Sequence, residues 1–284
     1  MLTLRNIFDA KKTKKKAFAL KATKAMQREY QRDIDRLIRS IYEIFQSVVI
    51  NGMDRKIVTE QLSIVKDESY NERLNRLINE FIKRVKGKYN KDFIERLCKK
   101  HLRRVYAWQN REFSKKMANF GLDLAGEDLL KQYRSFMKLK LDSNIQLVKG
   151  LVDNEIEQLK NQVMRNMSNG APASELAKGL QQHLNVSKDR AQTIARTEVN
   201  TLTNQLNDRR AIEVGIDEGI WRGVEDNRER AEHLALEGKR FKLKDGVLVK
   251  VKRKGRTITK RIFPGREPNC RCWTEYPIDQ IFRR

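Results

Sequence analysis

Between residues 30 and 48 the apolar positions Tyr30, Ile34, Leu37, Ile41, Ile44 and Val48 follow one another at alternating steps of four and three. At 3.6 residues per turn they fall on one stripe, which predicts a long amphipathic helix stopped by Asn51-Gly52. A second run, Tyr70, Leu74, Leu77, Phe81 and Val85, ends near Gly87, and a looser third includes Phe93, Leu97, Val105 and Trp108. Ile145, Val148, Val152, Ile156, Leu159, Val163 and Met167 predict a further helix closed by Asn169-Gly170. A shorter helix is expected after Pro172 and Ser174. Ser187 then reads as the N-cap of a helix reaching Val214, with Gly215 as its stop.

Beyond Gly215 the period changes from about 3.6 to two. Residues 220–224, 240–244, 247–253, 256–263 and 271–276 read as short strands, with Asp245-Gly246 and Lys254-Gly255 as two-residue hairpin turns. All four prolines lie beyond residue 170 and half of the 14 glycines lie from Gly215 onward. The expected fold class is therefore α+β. A long-helix domain over 1–140, preceded by a Lys-rich arm, leads to a compact domain over 141–284 that is helical to 214 and β-rich thereafter, its helices packed on a small antiparallel sheet.

Charge adds a partner to this picture. The chain has 284 residues with 61 Lys and Arg against 37 Asp and Glu, a formal net charge of +24. The excess is +17 over residues 1–150, zero over 151–250 and +7 over 251–284. A balance so basic points to a polyanion or to acidic protein neighbours. Lys11, Lys12, Lys14, Lys15, Lys16, Lys21 and Lys24 in the arm, with Lys99, Lys100, Arg103 and Arg104, are the candidate contacts to double-stranded DNA, through phosphates and without sequence preference. No window approaches eighteen consecutive apolar residues, so no membrane partner is expected, and Met1 to Phe8 is too short for a signal-peptide core.

Candidate chemistry is sparse. Cys270 and Cys272 are one residue apart, and the fold can bring His233 to them. These three are the candidate metal ligands, one short of the four that a structural zinc takes, so neither zinc nor another cofactor is expected. His233 with Asn269 does not have the spacing of an HNH nuclease. No Ser/His/Asp set, phosphate loop or close carboxylate pair stands out, and no catalytic residue is assigned. Glu198 falls on the apolar face of Ala191, Ile194 and Leu202, where a carboxylate needs a partner; Arg222, Arg228 and Arg271 are the expected ones.

An ordered set of motifs resembles the phage minor head, or head morphogenesis, proteins typified by the F protein of bacteriophage Mu. The set comprises Asn144-Ile-Gln-Leu-Val-Lys149, the 187–200 segment with Arg196, Thr197, Glu198 and Asn200, then Trp221, Arg228, His233 and Leu236-Glu-Gly238-Lys239, and finally Pro264-Gly265 with Asn269-Cys270-Arg-Cys272. The resemblance covers residues from near 140 to 276. It implies a structural protein of the virion head, present in host cytoplasm during assembly, with portal, capsid or scaffold proteins as partners and packaged DNA nearby. It implies no catalytic residue, so the motif positions are expected to be structural. In some members cysteines precede the histidine, where this chain has Asn227, Arg228 and Glu229. The rival readings are an ADP-ribosyltransferase-like enzyme, disfavoured because Arg196, Thr197 and Glu198 are consecutive on one predicted helix, and a free-standing nucleic-acid-binding protein.

Overall fold

The structure, a computed structural model, describes residues 17–53, 70–120, 129–168, 173–253 and 256–282. The elements run β1 (Ala17–Phe18), α1 (Lys24–Phe45), α2 (Tyr70–Lys88), α3 (Lys91–Ala118), α4 (Leu129–Ser168), α5 (Ala173–Glu213), β2 (Glu218–Arg222), α6 (Ala231–Leu234), β3 (Arg240–Lys242), β4 (Val247–Arg253), β5 (Arg256–Ile262) and β6 (Trp273–Pro277). A π-helical turn, Gln46–Ile50, follows α1, and a 3₁₀ turn, Ile278–Phe282, follows β6. The fold is α+β. Among the described residues two compact units form, one from those within 30–100 and 141–192 and one from those within 17–29, 101–140 and 193–282. The chain passes between the units inside α1, α3, α4 and α5, so each of these helices contributes to both.

In the all-helical unit most of the expected α1 stripe is buried: Tyr30, Ile34, Leu37 and Ile41 are in the core, joined by Ile38 and by Phe45, which takes the place expected for the half-buried Ile44. Phe45 meets Phe81 of α2 edge to face at 5.2 Å. The π-helical turn adds a residue to the next turn and brings both Val48 and Val49 inside. Residues 51–53 remain helical, so Asn51-Gly52 does not end the helix where its turn propensity suggests. Asn90 caps α3, its Oδ1 accepting the Phe93 amide at 3.0 Å. One polar cluster lies inside this unit. Glu155, almost fully buried, accepts the Ser187 hydroxyl at 2.9 Å on each oxygen and faces His183 Nε2 at 3.1 Å. Ser187 is thus inside a continuous α5 rather than at an N-cap: its hydroxyl serves a buried carboxylate on α4, and the two expected helices are one.

The mixed unit has a four-stranded antiparallel sheet in the order β1-β6-β2-β3 and a separate hairpin, β4-β5. Strand β1, outside any expected element, pairs Phe18 with Tyr276 and stacks the two rings at 5.1 Å. Phe18, Phe113, Ile216, Trp221, Phe241 and Tyr276 are central to its core. The side chain of Arg210, 1% exposed, lies among the rings of Tyr106, Phe113 and Tyr133 at 5.5–5.7 Å, a cation–π setting for a buried guanidinium. Asp245-Gly246 does not join β3 to β4 in one hairpin. The Gly246 amide bonds back to Lys242 at 2.9 Å, and the turn carries the chain from one sheet to the other. In β4-β5 Arg253 pairs with Arg256, the register a two-residue connection requires, while Lys254-Gly255 lie outside the described residues.

Helix α5 ends as its sequence predicts. Gly215 has φ +91°, its amide bonds to Ile212 at 3.0 Å, and the Ile216 amide reaches Ala211 at 2.8 Å, a Schellman closure that leads directly into β2. A Cβ at Gly215 would meet nothing within 4 Å, so substitution there isolates the backbone effect. Gly215→Ala is expected to destabilise the protein by about 1 kcal/mol, read as a lower denaturant midpoint at unchanged slope, and Gly215→Asn by less.

Candidate functional site

The C-terminal half of α5 turns a polar face inward, and that face holds the turn before β6. Thr197 Oγ1 accepts the Asn269 amide at 3.0 Å, Thr193 Oγ1 accepts Asn269 Nδ2 at 3.3 Å, and Arg196 reaches Asn269 Oδ1 at 3.5 Å. Asn200 Nδ2 donates to the Cys270 carbonyl at 3.0 Å, and Thr201 to that of Gly265 at 3.5 Å. One turn further on, Asp208 accepts the Tyr276 hydroxyl at 2.6 Å and pairs with Arg266. Burial raises the Asp208 carboxyl, and Arg266 with the Tyr276 hydroxyl opposes the rise. Asn269 takes φ +58°, which Asn tolerates and the Thr197 bond fixes.

The clamped turn delivers two thiols to one place. Cys270 Sγ and Cys272 Sγ each lie 3.5 Å from His233 Nδ1, and all three side chains are buried. Helix α6 presents His233, whose Nε2 faces Glu267 Oε2 at 2.8 Å; Lys260 holds the other Glu267 oxygen at 2.7 Å. The Trp221 ring meets the imidazole edge to face at 5.4 Å and is fully buried. Glu229 Oε1 is 3.2 Å from Cys272 Sγ. The thiols titrate as a pair. The hydrogen bond from Cys272 lowers Cys270, with His233 adding to it against burial, and the same bond, with burial, raises Cys272. A salt bridge and a hydrogen bond tie the flanking loops together: Arg271 pairs with Asp226 through both terminal guanidinium nitrogens, and Arg230 donates to the Pro268 carbonyl at 2.8 Å.

The remaining motif positions are placed around this core. Gly238 donates its amide to the Trp221 carbonyl at 2.9 Å, and Pro264-Gly265 form the turn that Thr201 reaches. Arg228 pairs with Asp226 at 3.3 Å, and Arg222 with Glu237 and Glu275 at 2.9 and 2.7 Å. None of Arg222, Arg228 and Arg271 is therefore the partner of Glu198. That carboxylate is half-buried and its neighbouring cation is Lys140 of α4. Burial raises Glu198 and lowers Lys140, each opposed by the charge of the other. The sequence pointed to the strand region because it is rich in arginine, but those arginines have closer acids.

The charge-based positions divide. Lys11, Lys12, Lys14, Lys15 and Lys16 lie outside the described residues. Lys21 holds its ammonium 3.0 Å above the Trp273 ring, and Lys24 is exposed. Lys99 pairs with Glu95, Lys100 with Asp33 at 2.7 Å and Arg104 with Glu29, while Arg103 is exposed. Sequence reasoning passed over Glu229 and Glu267, which reach the cysteine–histidine cluster, and the basic β4-β5 hairpin. The hairpin was legible: seven Lys and Arg and no acid stand between Val247 and Ile262.

Glu198 supplies a test with a defined sign. Its folded-state carboxyl is raised above the ordinary 4.5, so the folded chain binds the proton more tightly than the unfolded one. The stability of the natural chain relative to Glu198→Gln is expected to be greatest below pH 4.5 and to fall as pH rises through the raised value. Denaturant midpoints of both proteins across pH 4 to about 7 check this; a difference that grows with pH would mean a dominant ion pair instead.

Comparison with known proteins places these motifs. Residues 157–275 match the family described as phage Mu protein F like protein. A protein of Haemophilus influenzae described only as uncharacterized is 29% identical over 129 residues, 45% of this chain and 26% of that protein, so the chain spans about a quarter of that relative's length. No solved structure matches the chain. The matched segment contains the inner polar face of α5, the His233 helix and the Asn269–Cys272 turn, so the likeness to the phage Mu protein F like family lies in the residues that converge on this site.

Proposed function

We propose that this chain is a structural protein of a tailed-phage head, bound at the portal or procapsid and touching DNA during assembly, packaging or ejection. The observation that carries the reading is the match of residues 157–275 to the phage Mu protein F like family. The geometry supports a structural use of the matched residues. Thr197, Asn200 and Asn269 are occupied in holding the turn before β6, and Arg196, Thr197 and Glu198 share one helix. A transferase site of separated Arg, Ser or Thr, and Glu has no counterpart in that arrangement.

For the DNA contact, the β4-β5 hairpin is the described element best suited. Val247 and Val249 pack toward the core, and by the period of two Leu248, Lys250 and Lys252 face the other way, beside Thr257, Thr259 and Arg261 across the strand pair. Lys250, Lys252, Arg256 and Arg261 are exposed and make no ion pair among the described residues. A two-stranded basic ribbon fits a duplex groove and its phosphates.

Cosedimentation with portal-containing proheads assembled from the same phage tests the assembly reading. The protein is expected to travel with the proheads, and recovery only in the supernatant would reject the reading. For DNA, the binding constant should fall steeply with salt and without sequence preference, with a log–log slope near −5 if about six phosphates are neutralised. Replacing Lys250, Lys252 and Arg261, which share the outward face, with Gln should make that slope shallower by up to about 2.7, at about 0.9 per lost phosphate contact. An unchanged slope would remove the hairpin from the DNA contact.

A further inference from the structure

We infer that Glu229, His233, Cys270 and Cys272 form a four-coordinate structural zinc site. The distances carry the inference first. Zinc bonds of about 2.3 Å to sulfur and 2.0–2.1 Å to nitrogen, meeting at a tetrahedral angle, put the two ligand atoms about 3.6 Å apart. His233 Nδ1 is 3.5 Å from Cys270 Sγ and 3.5 Å from Cys272 Sγ, and the three ligand atoms lie within 4.8 Å of one another. One imidazole nitrogen equidistant from two sulfurs has the spacing that a shared cation needs.

Among the described residues only His233, Cys270 and Cys272 have all their ligand atoms within 4.8 Å of one another, and Glu229, which reaches Cys272, is the fourth ligand that a bound ion would draw in. Glu229 Oε1 lies 3.2 Å from Cys272 Sγ. Its Oε2 accepts the amides of Val224 at 3.1 Å and Glu225 at 2.7 Å, so the backbone sets the carboxylate's orientation and leaves Oε1 toward the thiols. The chain makes room for it: a Cβ on Gly223 would fall 2.2 Å from Glu229 Oε1.

The surroundings prepare the histidine and the charge. With Nε2 donating to Glu267, the neutral imidazole has its lone pair on Nδ1, directed at the sulfurs, and Lys260 fixes Glu267 in turn. A carboxylate behind the ligating histidine is the usual outer partner of a zinc ligand. Two thiolates, one carboxylate and Zn²⁺ leave one negative charge. Arg228, Arg230 and Arg271 line the small cavity of about 110 Å³ beside the cluster and offset it. A mixed thiolate, imidazole and carboxylate tetrahedron suits zinc among the common divalent ions, and four protein ligands leave no position for substrate. The ion would tie the 223–234 segment to the 264–272 turn, holding together loops far apart in sequence.

The test uses the full chain purified under reducing conditions without chelator, free of any phage particle, so its outcome is separate from that of the prohead experiment. About one equivalent of zinc is expected by elemental analysis. Replacement of the zinc by Co²⁺ should give thiolate-to-cobalt charge-transfer absorption and the intense visible bands of four-coordinate cobalt. Cys272→Ser should diminish the charge-transfer band, Glu229→Gln should shift the visible bands, and Glu267→Gln should weaken metal affinity by about 10- to 100-fold while leaving the band positions unchanged. Zinc well under one equivalent, with no charge-transfer absorption on adding Co²⁺ to the natural chain, would overturn the proposal whatever the variants do. A Glu229→Gln protein with unaltered bands and affinity would overturn the four-ligand site.

Discussion

A helix that buries a polar face is the constraint on which the mixed unit depends. Between Thr193 and Asp208, α5 carries Thr, Asn and Asp side chains where an ordinary packed helix carries aliphatic ones, and several are fully buried. Burying them is tolerable because each meets a backbone or side-chain partner. Asn207 donates to the Leu20 carbonyl at 2.8 Å and accepts from Gln109 at 2.9 Å, Asn200 holds the Cys270 carbonyl, and Asp208 receives Tyr276 and Arg266. Leu20, Gly265 and Cys270, all in irregular chain, can therefore be buried with their carbonyls satisfied. The sheet, the turn and the cysteine–histidine cluster follow from those bonds.

This arrangement gives the phage Mu protein F like motifs a physical meaning. The separated motif residues are two halves of one contact: Thr197 and Asn200 on the helix, Asn269 and Cys270 on the turn. Trp221 and His233 pack against each other under that turn, and Cys270 and Cys272 belong to the same core as Phe18, Trp221 and Tyr276. Such residues shape a surface from beneath. The β4-β5 ribbon is tied to the same turn through Lys260, which holds Glu267.

Much of the fold is legible in the residues because periodicity is a direct record of burial. The steps of four and three in α1, the period of two in β4 and β5, and Gly215 as a helix stop all have their expected counterparts. What escaped was decided by distant partners. Ser187 has the chemistry of a cap, but Glu155 on another helix takes its hydroxyl, so α5 runs on. Two residues, Ala17 and Phe18, are too few to show a period, and β1 exists only because β6 offers an edge. Glu229 sits in a charged loop among Asp226, Arg228 and Arg230, and nothing local marks which acid faces the sulfurs. Glu198 was legible as a carboxylate needing compensation, whereas its cation on α4 was not.

Amide hydrogen exchange over residues 264–272 in the natural chain and in Asn200→Ala tests the central claim most directly. If the inner face of α5 holds this turn, the substitution should sharply reduce protection across the whole segment, the Asn269 and Cys270 amides included, while the β4-β5 hairpin, paired through its own ladder, retains its protection. Unchanged protection over 264–272 in the variant would show that the turn is held by other contacts, and would contradict the account.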